Sequence, residues 1–281
     1  MSPIPGPVSR LGFVVDAPAL GGRAAERSVI ERVRRARHAG IDLFDVASVP
    51  DPIRSARLVA SALADSEAGS VLLVPARAVG LASALREEGG GRPAPFRLLR
   101  EEGGSSEEAA DRATAEDGVR RLEGPEAELP PSRSGRYVGP FSLLDRRLAS
   151  RFGAADRTGS ARLWARDPFA RGRLDGSRFG PTAPTGERPE RPASVRDLAE
   201  EFAPVLRLGF LTEGRHRTLV EAAIQYLLAH RWVEAVLAPL PPIERLEAVV
   251  RSLSAQPLTP AELARIAADR PPERGPSGPV K

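Results

Sequence analysis

The sequence predicts an α/β protein, a TIM-type (β/α)8 barrel built as one domain. Apolar runs at residues 10–15, 41–46 and 70–76 alternate with stretches of helical spacing, which is the pattern of βαβ units around a parallel sheet. Strands and helices go on alternating wherever the pattern is readable. The count of seven or eight strands, each followed by a helix, fits a barrel.

The strands and helices of the first third are bounded by clear local signals. Val29, Val33 and Ala36 repeat at helical spacing, and Gly40 is a natural end for that helix. The run SVLLVPA is apolar throughout, as in a strand buried on both faces. We predict, in order, a strand at 10–15, a helix at 24–39, a strand at 41–46, a helix at 55–64 and a strand at 70–76.

The middle of the chain is less regular and leaves open whether the barrel closes with eight strands. Residues 103–136 are rich in Gly, Glu, Ser and Pro, so a strand–helix unit could be missing and the barrel incomplete around 103–135. We predict a strand at 95–101, a helix at 106–122, a weak strand at 127–129, and a strand that runs into a helix over 136–152.

The last third is strongly patterned. Thr259 and Glu262 have the spacing of a capping box at the start of the final helix. We predict a strand at 161–169, a polar loop at 173–193, a helix at 218–230, a strand at 232–240 and helices at 242–253 and 260–268. The expected domain limits are a flexible N-terminus at 1–9, the barrel at 10–270 and a disordered tail at 271–281.

The composition excludes several classes of protein. The chain has no cysteine, which rules out disulfides and thiolate chemistry. Its 41 basic residues are interspersed with 37 acidic ones and aromatics make up only 5%, which argues against nucleic-acid binding. It contains neither an apolar run of about 18 residues nor a leader-like N-terminus, so we expect no membrane span and a cytoplasmic location. The three histidines lack metal-ligand spacing, and we predict no metal.

Six segments, in order along the chain, resemble the aldo/keto reductase family. The most specific is PFSLLDRR at residues 140–147. Together the segments cover residues 10–76 and 136–268, and the resemblance implies a barrel fold and NADPH-dependent carbonyl reduction. The other five are AGIDLFDVA (39–47), RSARLVASAL (54–63), ARDPFARGRLDG (165–176), the long stretch 217–250, and PLTPAELARI (257–266).

The resemblance implies a catalytic tetrad of Asp, Tyr, Lys and His at the barrel mouth, in which Tyr donates a proton while hydride arrives at carbon. Asp45 matches the family Asp and is the only tetrad member retained. The Tyr position is Pro50, and the Lys position lies near Ala76 or Arg77. The His position falls at Arg100 or Glu101.

The same resemblance implies that the cofactor site is degraded. Asp167 replaces a family Ser that helps to hold the pyrophosphate, and a carboxylate there repels a diphosphate. Pro239, Ala248 and Val249 replace residues of the adenosine-phosphate grip. NADP(H) binding is therefore expected to be weak or lost. The positions that would still contact the cofactor are Arg166, Asp167, Phe169 and Glu244.

Individual residues of the mouth allow a functional and a structural interpretation. Asp45 is either a catalytic relic or the partner of an arginine such as Arg77, and we favour the pair. Arg166 and Asp167 either line a repurposed pocket or form a rim salt bridge, and neither is favoured. Trp164 is expected in the core rather than under a ligand. The histidines are expected on helix surfaces.

These observations predict a binding or regulatory protein on an aldo/keto-reductase-like barrel, in effect a pseudoenzyme. The alternative is an NADP(H)-dependent oxidoreductase of that family with atypical catalytic residues. A third class is another reaction in the same barrel mouth, because this fold hosts many chemistries. The sequence does not identify a small-molecule or protein partner.

Overall fold

The structure is a closed barrel of eight parallel strands in the order of the chain, with β8 paired to β1. It was obtained as a computed structural model and describes residues 9–20, 22–66, 69–75, 85, 96–102, 118–122, 135–155, 161–179, 194–214 and 217–269. The strands are β1 (Leu11–Val14), β2 (Leu43–Asp45), β3 (Ser70–Pro75), β4 (Phe96–Glu102), β5 (Gly118–Arg121), β6 (Gly135–Pro140), β7 (Ala161–Arg166) and β8 (Val233–Pro239).

Seven α-helices lie within the described residues, and three of them begin with a side-chain cap and an acidic residue in the first turn. Thr218 and Thr259 each form a capping box with a glutamate three residues on. The helices are α1 (Gly22–His38), α2 (Pro52–Leu63), α3 (Arg147–Ala155), α4 (Val195–Leu206), α5 (Leu219–Leu228), α6 (Ile243–Arg251) and α7 (Pro260–Ala268). Among the described residues, none of these helices is long and apolar enough to cross a bilayer.

The barrel closes with eight strands because residues 118–121 form β5. The sequence pattern placed these residues at the end of a helix over 106–122, and that prediction is wrong for them. Arg100 of β4 is in register with Gly118, and Tyr137 of β6 with Arg120. Pairing on both sides and burial of Val119 inside the barrel outweigh the local helical spacing. The weak strand expected at 127–129 lies outside the described residues.

Other boundaries differ from the sequence prediction in smaller ways. The strand expected at 161–169 ends at Arg166, because the next residues turn away from the sheet. Helix α4 was missed, although Ser194 caps it by accepting the backbone N–H of Asp197 at 3.1 Å. The first part of the polar loop expected at 173–193 is ordered into turns and a short 3-10 helix, Ser177–Phe179.

The core has two layers. The barrel interior is filled by side chains that alternate along the strands, and the larger layer lies between the sheet and the helices. Gly12 of β1 leaves room in the interior, since an added Cβ would lie 2.7 Å from the Leu43 side chain and 2.9 Å from that of Leu237. The interior set is Leu43, Val71, Leu73, Leu99, Val119, Val138, Trp164, Ala235 and Leu237.

The PFSLLDRR segment has a structural role in this fold. The Ser142 hydroxyl accepts the backbone N–H groups of Leu144 and Asp145 and so closes a tight turn after β6. Arg146 donates to the backbone carbonyls of Ile266 and Asp269 at the end of α7. The segment therefore stabilises the C-terminal end of the last helix and ties it to the barrel.

Candidate functional site at the barrel mouth

Four charged side chains meet at the carboxyl ends of β2, β4, β5 and β7, and we call them the mouth network. Arg166 donates to both carboxylate oxygens of Asp45, with Nε–Oδ2 at 2.7 Å and Nη2–Oδ1 at 3.0 Å. The same Nη2 also donates to Glu101. Arg121 joins from β5, with its Nε 3.3 Å from Glu101 Oε1. The network consists of Asp45, Glu101, Arg121 and Arg166.

The mouth network is balanced in charge, and all of its side chains except that of Arg121, which is 44% exposed, are buried or nearly so. The Asp45 side chain has no exposed surface, that of Glu101 is 3% exposed and that of Arg166 is 11% exposed. Burial by itself lowers the pKa of Arg166, but attraction to Asp45 and Glu101 outweighs it and raises the pKa above the usual arginine value. Arg166 therefore stays a cation and cannot donate a proton to a substrate.

The partner of Asp45 in the structure is Arg166, 121 residues along the chain. Ala76 and Arg77, the positions nearest the family lysine, lie outside the described residues. Of the two residues at the family His position, Glu101 is buried in the network, whereas Arg100 is exposed. The sequence signal for this difference is the alternation of side chains along β4. Leu99 lies in the barrel interior, and Glu101, two residues on, shares its face.

Both tyrosines of the chain lie away from the mouth. Tyr137 is buried in the outer layer, where its ring meets Phe152 edge-on at 5.9 Å between centroids. Tyr226 is buried within α5. Pro50, at the family Tyr position, lies in the connection between β2 and α2.

His230 is not the helix-surface residue that the sequence suggested. It follows α5 and packs among Phe141, Tyr226 and Trp232, with ring centroids 4.9–5.2 Å away. Burial lowers its pKa, and its Nδ1 lies 2.9 Å from the backbone carbonyl of Tyr226. His38 is the last residue of α1, and His216 lies outside the described residues.

The four residues that the sequence resemblance assigns to the cofactor site have different surroundings. Arg166 belongs to the mouth network, and Phe169 is buried in the outer layer. Glu244 is exposed in the first turn of α6. Asp167 accepts the backbone N–H of Arg171 at 2.6 Å, and burial raises the pKa of its carboxyl to about 6.

Below the mouth, the barrel is packed rather than hollow. Trp164 of β7 is fully buried in the interior, and its indole Nε1 donates to Glu234 Oε2 at 2.9 Å. Arg136 binds both oxygens of Glu234, at 2.8 and 3.1 Å. Trp164 is thus a core residue. Across the described ranges, no group of three or more His, Asp or Glu side chains is arranged to hold a metal ion.

The fold is that of the aldo-keto reductases. An aldo-keto reductase from Bacillus halodurans matches in its holo form with a TM-score of 0.62 and 20% identity, over 93% of this chain and 91% of that one. Its apo form gives 0.61 and 21%. A glycerol dehydrogenase from Gluconobacter oxydans matches with 0.62 and 15% identity, over 98% and 97% of the two chains. No family model and no curated protein sequence matches.

Proposed function

We propose that this chain descends from the aldo/keto reductases, has lost their NADPH-dependent carbonyl reduction and acts as a binding or regulatory protein. The observation that carries the proposal is the bidentate pair between Arg166 and Asp45. The one carboxylate left of the family tetrad is engaged by a buried guanidinium that also binds Glu101. This arrangement supports a structural role for the remaining tetrad position.

The residue types of the chain support the same conclusion. Carbonyl reduction needs a proton donor at the oxygen while hydride reaches the carbon. Tyr137 and Tyr226, the two tyrosines, are in the outer layer, and the one lysine is Lys281 at the end of the chain. A guanidinium does not release its proton in a protein, so Arg166 cannot take over the donor role.

Loss of the cofactor grip is the second part of the proposal. By the family resemblance, the Asp167 carboxylate would lie beside the cofactor pyrophosphate. Repulsion of this kind costs on the order of 1 kcal/mol or more at about 4 Å, depending on the local dielectric. Pro239 at the end of β8 and Ala248 on α6 replace residues of the family's adenosine-phosphate grip.

The alternative function, an NADP(H)-dependent oxidoreductase with atypical catalytic groups, is favoured by one observation. Asp167 follows the carboxyl end of β7, and its carboxyl pKa is raised to about 6 by burial. A carboxyl with such a pKa is suited to proton transfer near neutral pH. In this version Asp167 would be a candidate for the atypical proton-transfer group, with a cofactor bound differently from the family pattern. A cytoplasmic location and domain limits of 10–270 remain predictions from the sequence.

Titration with NADPH distinguishes the two functions. We expect no saturable binding up to millimolar NADPH by isothermal titration calorimetry, because the pyrophosphate and adenosine positions are degraded. The matched variant Asp167→Ser restores the family residue type and is expected to bind more tightly than the wild type. An active aldo/keto reductase titrated in parallel is the positive control. Saturable micromolar binding by the wild type would overturn the proposal and favour the oxidoreductase.

A further inference from the structure

One nitrogen of the Arg166 guanidinium is left without a partner in the mouth network. An arginine carries five side-chain N–H donors, one on Nε and two on each terminal nitrogen. The Nε donor is taken by Asp45, and the two donors of Nη2 are taken by Asp45 and Glu101. The two donors on Nη1 remain, because none of the described residues forms a hydrogen bond or ion pair with that atom.

Nη1 of Arg166 is accessible to solvent from the mouth. In the part of the chain that the structure describes, the buried side-chain nitrogen and oxygen atoms without a partner are Ser70 Oγ, Arg146 Nε and Arg217 Nε. Nη1 is not among them, and the Arg166 side chain keeps 11% of its surface exposed. The interior beneath is filled by Trp164 and Leu237, both fully buried. The accessible side of Nη1 is therefore the open side of the barrel.

The carboxylates of the network hold Arg166 in one position. Asp45 Oδ1 accepts the backbone N–H of Ala47 at 2.8 Å as well as Nη2 of Arg166, which fixes this carboxylate at the end of β2. Glu101 binds Arg166 with one oxygen and Arg121 with the other. Because the guanidinium is already held on two sides, it loses little side-chain freedom when Nη1 donates to a ligand.

The inward-facing side chains next to the network are apolar. Inward positions recur every second residue along a strand, so Val14 follows Gly12 and Ala47 follows Asp45. Val14 and Ala47 are half-buried and pack against the barrel interior. Val14 is in register with Asp45 of the neighbouring strand. The floor of the mouth thus combines a positioned donor with apolar surface, as small-molecule sites usually do.

The charges of the network determine which ligand suits Nη1. Asp45 and Glu101 balance Arg166 and Arg121, so the site has no net charge to attract an anion. An anion at Nη1 would be repelled by the two buried carboxylates that bind the same guanidinium, and Arg121 is 44% exposed and screened by solvent. An uncharged oxygen acceptor takes the same N–H groups without that repulsion.

We propose that the barrel mouth binds an uncharged small molecule whose oxygen accepts the Nη1 donors of Arg166, and that it discriminates against anions of the same shape. An amide oxygen on an apolar body has this chemistry. The inference rests on the proposed function, because it names the ligand class of a binding protein built on this barrel. Arg166 is then the residue that recognises the ligand, and Asp45 and Glu101 position it.

Benzamide and benzoate are suitable probes for this proposal, because they have nearly the same shape and differ in charge. Saturation-transfer NMR of the full chain at pH 7 measures the dissociation constants of both. We expect saturable binding of benzamide with a Kd below about 10 mM, as is usual for a ligand of this size. Benzoate is expected to bind at least about tenfold more weakly, because of the two buried carboxylates.

Glu101→Gln tests the origin of this preference. The variant keeps an oxygen acceptor for Arg166 and removes one negative charge, so the preference is expected to shift toward benzoate by about tenfold. Glu234→Gln is the matched control. It removes a carboxylate near the start of β8, at the opposite end of the barrel, where Glu234 pairs with Arg136. The ratio of the two dissociation constants is expected to stay at the wild-type value in this control.

Two results with the wild type would overturn the inference: no saturable binding of benzamide, or binding of benzoate as tight as that of benzamide. An unchanged ratio in Glu101→Gln would overturn it as well. If that variant does not fold, the two probes on the wild type decide the question. The NADPH titration remains a separate test, since micromolar NADPH binding contradicts the proposed function, whereas failure of benzamide alone contradicts only the ligand class.

Discussion

Replacing Arg166 by methionine is expected to lower the free energy of unfolding by about 3–5 kcal/mol, the usual cost of breaking a buried ion pair. Methionine keeps much of the volume but removes the guanidinium, so Asp45 and Glu101 stay buried without their shared cation. We expect Arg121 to compensate little, because its side chain is 44% exposed and its ion pair with Glu101 is 3.3 Å long. Urea denaturation of the wild type and the variant at pH 7 measures the difference.

Two further variants separate the mouth network from a general effect of losing an arginine. Arg196→Met removes an exposed pair with Glu200 on α4 and is expected to cost less than about 0.5 kcal/mol. Combining Arg166→Met with Asp45→Asn and Glu101→Gln is expected to give a more stable protein than Arg166→Met alone, because no carboxylate is then buried unpaired. A loss below about 1 kcal/mol in the single variant would contradict the structural role that we assign to the network.

Replacing Trp164 by alanine is the second change with a large expected effect, a loss of about 3–5 kcal/mol in unfolding free energy. The side chain is fully buried in the barrel interior among Leu43, Val138 and Leu237. Removal of the indole leaves a cavity. The closed barrel cannot easily contract to fill it, because its strands are paired all the way round. Glu234 keeps both contacts with Arg136 and so is not left unpaired.

Trp164→Phe is the matched variant for this position. It keeps an aromatic ring in the interior and loses only part of the volume and the hydrogen bond to Glu234. We expect its loss to be well below that of Trp164→Ala in the same urea denaturation experiment. If both variants were as stable as the wild type, the interior around Trp164 would be loosely packed. A ligand platform would then be the better description of this residue.

Much of the fold could be predicted from local patterns. The apolar run of β3, the helical spacing of α1 and the capping box of α7 each lie within a few neighbouring residues. Asp45 could be placed at the end of its strand for the same reason. Strand β5 could not be found in this way. It is four residues long, its inward residue is Val119, and pairing with β4 and β6 makes it a strand.

The mouth site shows the limit of sequence reasoning more clearly. The chain has 41 basic residues, and nothing local to Arg166 marks it as the partner of Asp45 rather than Arg77. The pairing arises because closure of the parallel barrel brings the ends of β2, β4 and β7 together. The packing of His230 likewise depends on a neighbour distant in sequence, Phe141.

The sequence by itself determined the alternation of strands and helices, the barrel class, and the fact that the chain has one lysine, Lys281, and two tyrosines, Tyr137 and Tyr226. Composition and local spacing contain this information directly. The tertiary structure alone decided that eight strands close the barrel and that Arg166 neutralises Asp45 and Glu101. The physical reason is that charge pairing and burial depend on which strand ends meet, and strand register and barrel closure set that over the whole chain.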